Sequence, residues 1–299
     1  MIYPKIDGVR FQTNIPLSRY TTYGVGASAH ILAQPTTIQA CQKLLQWLRQ
    51  SQLPYLFWGG GSNILFGDQP YLGLVLRTTD LNQARWGTDF CILQAGVPTP
   101  KAVHQAAQYG LSGLECLAGI PGTIGGAVAM NAGGKYGCIA ERIQWVKWID
   151  LNGKLHITSN LNFGYRTSHI PGLIVEAKLQ LKTSSCEHVK NKTKQILLEK
   201  KIHQPFGEKS AGCIFKNPPG QSAGKIIDQL GLKGVQYGGA MISKIHANFI
   251  LNHNNATAND IYHLIYFVQN CVLKKRKILL QPEVKILGYG FPQNKILAA

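Results

Sequence analysis

The sequence predicts an α+β fold in two domains. One reason is length: 299 residues at roughly 150 residues per domain suggest two. Another is periodicity, because apolar residues switch repeatedly between helical and alternating spacing, and a strand, a glycine turn and a helix follow one another early in the chain. The third is a basic, weakly periodic helix expected from about Glu187 to Gln204. It separates two glycine-punctuated parts and places a boundary near residue 190, giving domains 1–190 and 191–299. Hydrophobic residues make up 45% and charged residues 15%, which excludes a disordered chain, and 32 Gly with 14 Pro show no period of the collagen kind.

Each element has its own signal. Pro35-Thr36-Thr37 caps a helix with Ile38, Cys41, Leu44, Leu45 and Leu48 on one face. Leu53 to Trp58 reads as a short strand running into Gly59-Gly60-Gly61-Ser62-Asn63, and Thr99-Pro100 opens a second helix that ends at Gly110. Ile143 to Ile149 and Leu155 to Thr158 flank Asp150-Leu151-Asn152-Gly153, a hairpin signal. Val175, Ala177, Leu179 and Leu181 alternate with polar positions, as in a half-buried strand. In the second part, Ser222 caps a helix that Gly231 stops, and Thr257 with Asp260 forms a capping box before Ile261, Leu264, Ile265, Val268 and Val272. Two helices with intervening strands make a small α+β domain.

Several function classes fall away. The uncharged stretch that could most suggest a membrane span, Leu117 to Gly134, holds six glycines, Pro121, Thr123 and Asn131; it is too broken for a membrane helix and reads as a loop system. The N-terminus lacks the apolar core of a signal peptide, so a cytoplasmic protein is expected. Seven cysteines without CxxC or Cys/His spacing argue against a disulfide framework or a metal site, and most are expected in the core. The histidines show no metal spacing either. Thirty-one Lys+Arg against 14 Asp+Glu give +17, which suits an anionic partner. The basic residues are dispersed, however, and nucleic acid is not the expected one.

Two nucleotide motifs are imitated. Gly24-Val25-Gly26-Ala27-Ser28-Ala29 matches GxGxxA, but no helical period follows and no Asp or Glu lies between Asp7 and Asp68 to hold a ribose. Gly220 to Ile226 is one residue short of a P-loop and has Ile226 where magnesium needs Ser or Thr. Two other glycine clusters carry more weight: Gly59 to Asn63, and Pro121 to Ala127 together with Asn131 to Gly134. Such turns expose consecutive N–H groups that cradle phosphate. Each alone also fits a tight turn with buried glycine contacts; together they point to a diphosphate-bearing cofactor.

With these residues on the page, the sequence resembles the UDP-N-acetylenolpyruvoylglucosamine reductase family. The match runs in family order: Leu17 with Tyr20-Thr21-Thr22, GGGSNIL from Gly59, GLECLAGIPGTIGGAVAMNAGG from Gly113, FGYRTS from Phe163, SAGCIFKNP from Ser210 and QPEVKILG from Gln281. The short interval between Arg166 and Cys213 resembles the compact class that lacks an inserted substrate-covering loop. The resemblance implies a two-lobed FAD-binding region of the vanillyl-alcohol-oxidase (PCMH) type followed by a small α+β substrate-binding domain. It implies FAD held by Tyr20, Thr22, Gly59, Gly60, Gly61, Ser62, Asn63, Gly122, Thr123, Gly125, Gly126, Asn131, Ala132 and Gly133. NADPH would be the reductant. Hydride would pass from flavin N5 to the terminal methylene of UDP-N-acetyl-3-O-(1-carboxyvinyl)glucosamine, giving UDP-N-acetylmuramate for peptidoglycan synthesis.

That chemistry assigns the catalytic groups. Hydride addition builds an enediolate that needs a permanent cation in fork geometry, the role the resemblance gives to Arg166. Glu283 would face the same carboxylate and would have to carry or share a proton, since two bare carboxylates repel in a closed site. The α-carbon then takes a proton from the position where the family commonly has Ser and this chain has Cys213. A thiol is a stronger acid than an alcohol, and it is also open to oxidation and alkylation. Cys213 also fits a small core residue. A second departure is Ala27, where the motif commonly has glycine. Tyr165, Arg166, Lys216, Asn217, Lys225 and Lys233 are candidates for substrate binding, although each lysine also fits a solvated surface position. Asn248 reads as a structural or sugar contact. The expected partner is the small-molecule substrate alone, with the protein a monomer.

Overall fold

The computed structural model describes residues 4–292. Among them are six α-helices: α1 (Ile38–Ser51), α2 (Thr99–Gln108), α3 (Ile124–Ala129), α4 (Cys186–His203), α5 (Ala223–Gln229) and α6 (Ala258–Arg276). The chain divides into two compact units that do not follow one another along the sequence. The first comprises 1–13, 31–60 and 72–199; the second comprises 14–30, 61–71 and 200–299. The expected boundary at residue 190 falls inside α4, which is one uninterrupted helix.

The first unit has two apolar cores. One lies under a four-stranded sheet in the order Val9–Pro16, Ser28–Pro35, Tyr71–Arg77, Tyr55–Trp58, whose last pair is parallel. Cys41, Leu44, Leu45 and Leu48 of α1 join Ile31, Leu74 and Leu76 of the sheet there. The Thr37 hydroxyl caps α1 by accepting from the Ala40 N–H at 3.1 Å, as its sequence position requires. The other core lies against an antiparallel sheet in the order Leu155–Thr158, Ile143–Ile149, Leu173–Gln180, Phe90–Gln94, Ala84–Trp86. The hairpin register pairs Ile149 with Leu155 around the Asp150–Gly153 turn. Ala102, Val103 and Ala106 of α2 and Ile124, Ala127 and Val128 of α3 pack with Leu93, Val146 and Leu179.

The second unit is built on α6. Ile261, Leu264, Ile265, Val268 and Val272 meet Ile226 and Ile227 of α5, together with Ile214, Phe215, Ile242 and Ile250. A three-stranded antiparallel sheet (Gln236–Tyr237, Ala240–Ile242, Ile250–Asn252) and a parallel pair (Lys285–Leu287 with Ile64–Phe66) complete it. The N-terminus of α6 has three of its backbone N–H groups satisfied by side chains. Asp68 accepts from Ala258 and Asn259, both at 2.9 Å, and the Thr257 hydroxyl accepts from Asp260 at 3.1 Å. The capping box was readable in the sequence; the Asp68 cap, 190 residues away along the chain, was not.

Two expectations are corrected. The glycine-rich stretch from Leu117 to Gly134 is not all loop, because α3 forms in its middle, where Gly125 permits a close approach to Ala95. Most cysteines are not in the core: Cys41, Cys91 and Cys116 are buried, Cys138, Cys213 and Cys271 are half-buried, and Cys186 is exposed. Burial pushes the Cys41 and Cys91 thiols up to about 12. No helix among the described residues is long and apolar enough to cross a membrane, and no cluster of three metal-ligating side chains occurs among them.

Candidate active site

In the first unit the two glycine loops lie face to face. A Cβ on Gly59 would sit 2.7 Å from Thr123 Oγ1, and one on Gly60 would sit 2.7 Å from Gly122 Cα, so only glycine allows this approach. The 120–122 segment is tied to the start of α2: the Thr99 hydroxyl donates to Ile120 O at 2.6 Å and the Thr99 N–H to Gly122 O at 3.0 Å. Thr123 starts α3 without capping it, and its hydroxyl is buried with no partner among the described residues. In the second unit Thr22, whose N–H donates to Gly61 O at 3.2 Å, has a hydroxyl in the same condition. Buried hydroxyls are normally paired. Within the first unit, the orphaned Thr123 hydroxyl beside the facing glycine loops is what a polar cofactor would satisfy, so the residues present there fit FAD.

The glycines are not equivalent. Gly125 donates its N–H to Ala95 O at 2.8 Å, and a Cβ there would meet Ala95 Cβ at 2.7 Å. It lets α3 pack on the turn that follows the Phe90–Gln94 strand, and its N–H is engaged within the protein. Gly133 likewise passes close to Gly137 and Cys138 in a two-stranded ribbon. Gly126 differs, since a Cβ there would meet only Thr123 Oγ1, at 3.7 Å. Ala132 donates to Ala127 O and Asn131 to Val128 O, the paired bonds of a Schellman stop, with Asn131 left-handed at φ 43°.

Arg166 stands on the tip of a tight turn. Gly164 and Thr167 pair with each other, Ser168 N–H donates to Ala129 O, and Arg166 has φ 60°. Its guanidinium lies 5.1 Å from the Tyr165 ring centre, in cation–π range, and Nη1 donates to Asn131 O at 3.5 Å.

The segments that bear Cys213 and Glu283 are joined in the second unit on one backbone ladder. Glu283 N–H donates to Ile214 O at 2.7 Å, Lys216 N–H to Gln281 O at 2.9 Å, and Phe215 bridges Pro282. The other edge of the Cys213 segment is clamped by buried Asn248, which accepts from Phe215 N–H at 3.0 Å through Oδ1 and donates to Phe215 O at 2.9 Å through Nδ2. Asn63 continues the ladder, with its Nδ2 donating to Glu283 O at 3.1 Å and its own carbonyl accepting from Lys285 at 3.0 Å. An asparagine expected at the cofactor thus holds the Glu283 strand. Cys213 itself packs against Met241, Phe249 and Leu251.

The remaining candidates are placed as follows. Lys216 is half-buried beside this ladder and Lys225 is exposed on α5. Lys233 pairs with Asp228 at 2.8 Å. Asn217 accepts from Ala223 N–H at 3.0 Å at the start of α5. Tyr165 is exposed. Glu115, within the motif that starts at Gly113 but not singled out as a site residue, is buried; it accepts from the Ser112 hydroxyl and the Gly113 N–H, both at 2.6 Å, and pairs with Lys192 at 3.3 Å. Burial alone would raise its pKa, but these partners outweigh that and lower it.

Residues 29–159 match the FAD binding domain family, and residues 204–287 match the family described as UDP-N-acetylenolpyruvoylglucosamine reductase, C-terminal domain. A UDP-N-acetylenolpyruvoylglucosamine reductase of Synechocystis sp. is 40% identical over 291 residues, covering 94% of this chain and 92% of the relative. One from Moorella thermoacetica is 37% identical over 289 residues, covering 95% and 96%. The crystal structure of the reductase from Thermus caldophilus superposes with a TM-score of 0.80 at 37% identity, over 95% of this chain and 99% of that one. The same two-part architecture and sequence likeness over nearly the full length make the chain a member of the UDP-N-acetylenolpyruvoylglucosamine reductase family, an FAD-dependent oxidoreductase.

Proposed function

We propose that this protein reduces the enolpyruvyl ether of UDP-N-acetylglucosamine to UDP-N-acetylmuramate at the expense of NADPH, as a cytoplasmic step of peptidoglycan precursor synthesis. The reading is supported above all by the backbone ladder that joins the segments bearing Cys213 and Glu283, inside the region matched by the reductase C-terminal domain. FAD, when bound, supplies the two-electron carrier between NADPH and substrate. The chain's own residues then manage charge and protons. Arg166 meets the substrate carboxylate with a guanidinium that stays charged at every working pH, and it stabilises the negative charge that grows there as hydride reaches the methylene carbon. Glu283, in its protonated form, donates to the same carboxylate without adding a second negative charge. The Cys213 thiol gives its proton to the α-carbon, completing the saturated lactyl ether, and regains one from water. Lys216 and Lys225 are proposed for the diphosphate.

The test is optical. The purified protein should be yellow, NADPH should bleach it, and the enolpyruvyl substrate should restore the oxidised flavin spectrum with one lactyl ether formed per NADPH. Bleaching by NADPH without reoxidation by that substrate would sink the assignment while leaving the flavoprotein reading intact.

A further inference from the structure

We infer that Asn131 is a positioning residue for Arg166, tying the end of α3 to the turn that presents the guanidinium. The inference rests on the reading of Arg166 as the cation that meets the substrate carboxylate.

The observation begins with backbone conformation. Asn131 is the left-handed residue of the Schellman stop after α3, a position that glycine fills without strain. Asparagine tolerates it, and here the side chain has employment that glycine could not provide. Its Nδ2 donates to Gly164 O at 3.0 Å, and its Oδ1 accepts from Ala140 N–H at 3.3 Å. Gly164 is the first residue of the Gly164–Thr167 turn, so one hydrogen bond fixes the base of the turn whose tip is Arg166. The Asn131 carbonyl completes the link by accepting from Arg166 Nη1 at 3.5 Å. Asn131 is buried, so its bonds form away from competing water.

Arg166 also has a left-handed backbone, at φ 60°. A non-glycine residue holds that conformation only when its surroundings impose it. Asn131 supplies two of the imposing contacts, at the base of the turn and at the guanidinium. Its amide is therefore engaged within the protein, and its influence reaches the substrate through Arg166.

The experiment uses the FAD-loaded protein and two variants. Asn131→Gly keeps the left-handed stop and deletes both side-chain bonds. Asn131→Asp keeps the acceptor for Ala140 and deletes the donor to Gly164. Both should retain wild-type FAD occupancy. Affinity for UDP-N-acetylmuramate, which carries the carboxylate, should fall about tenfold or more, and affinity for UDP, which lacks it, should stay unchanged. Single-turnover reduction of the substrate should slow by roughly 10- to 100-fold, the scale of an ångström-sized misplacement. Adding Asn131→Gly to Arg166→Ala should cause no further loss, because the two act as one unit. Loss of FAD from either variant, an equal loss of UDP affinity, or multiplying losses in the double variant would overturn the positioning role. If Arg166→Ala alone leaves UDP-N-acetylmuramate affinity intact, the reading of Arg166 fails first, and this inference falls with it.

Discussion

Gly125 and Gly126 are adjacent in α3, yet the structure predicts opposite consequences for substituting them. A Cβ on Gly125 would lie 2.7 Å from Ala95 Cβ and 3.1 Å from Ala95 O. Gly125→Ala therefore overpacks the seam between α3 and the turn at Ala95, at a cost of about 1–3 kcal/mol. Replacing a helical glycine by alanine returns only about 1 kcal/mol. The melting temperature should fall, with each net kcal/mol worth about 2–4 °C. A Cβ on Gly126 meets nothing closer than Thr123 Oγ1 at 3.7 Å, so Gly126→Val leaves the FAD-free fold close to wild type. The valine methyls would instead occupy the space beside the orphaned Thr123 hydroxyl, and FAD affinity should fall by about 100-fold, the equivalent of about 2.7 kcal/mol. The assay is paired: thermal unfolding of the FAD-free proteins, and titration of each with FAD followed by flavin fluorescence. Gly126→Val that binds FAD like wild type would refute the placement of the cofactor on these loops. Gly125→Ala that melts like wild type would refute the packing argument.

Cys213→Ser should remain active, whereas Cys213→Ala should lose about 10²- to 10⁴-fold in substrate reduction, the range for general acid catalysis. Reduction by NADPH should be unchanged in both, and stopped-flow traces that show wild-type reoxidation of Cys213→Ala would remove the thiol from the mechanism. Asp68→Ala strips two cap bonds from α6 and should cost about 1–2 kcal/mol, read as a lower urea midpoint; an unchanged midpoint would show the cap is dispensable. His246 is held below its ordinary value of 6.5, chiefly by burial. The unfolded chain thus takes up the proton first as pH falls, so this residue's contribution to stability is complete above about pH 6.5 and declines below it. A titration of the ring by NMR with a midpoint at or above the ordinary value would contradict that.

What the sequence made legible follows from the range of the interactions involved. Helices α1, α2, α5 and α6 and the Ile143–Thr158 hairpin were readable because caps and turns act within a few residues. The α3 helix was hidden because its glycines, poor helix formers, are selected by Ala95, a contact 30 residues away. Glycine loops and the order of motifs pointed to the cofactor, yet sequence could not tell which glycine is required by a close approach of another segment and which has open space around it. The same limit applies to the asparagines. Asn63, Asn131 and Asn248 have amide groups engaged with Glu283, Gly164 and Phe215 respectively, and each of those partners lies in a distant segment of the chain.

The interleaving of the two units bears on how the polypeptide reaches its native state. Residues 14–30 and 61–71 emerge from the ribosome early but belong with residues 200–299. Tyr23 O waits for Asn252, Asp68 for the start of α6, and Asn63 for Glu283, the last pairing spanning 220 residues. Until the final hundred residues are made, these bonds cannot form, and Tyr23, Val25 and Leu65, which end inside an apolar core, lack most of that core. Contacts of such separation slow folding and leave apolar surface open to aggregation or to chaperones in the interval. For the same reason a fragment beginning at residue 200 would lack part of its own core. The second unit is expected to be recoverable only from a chain that carries both ends.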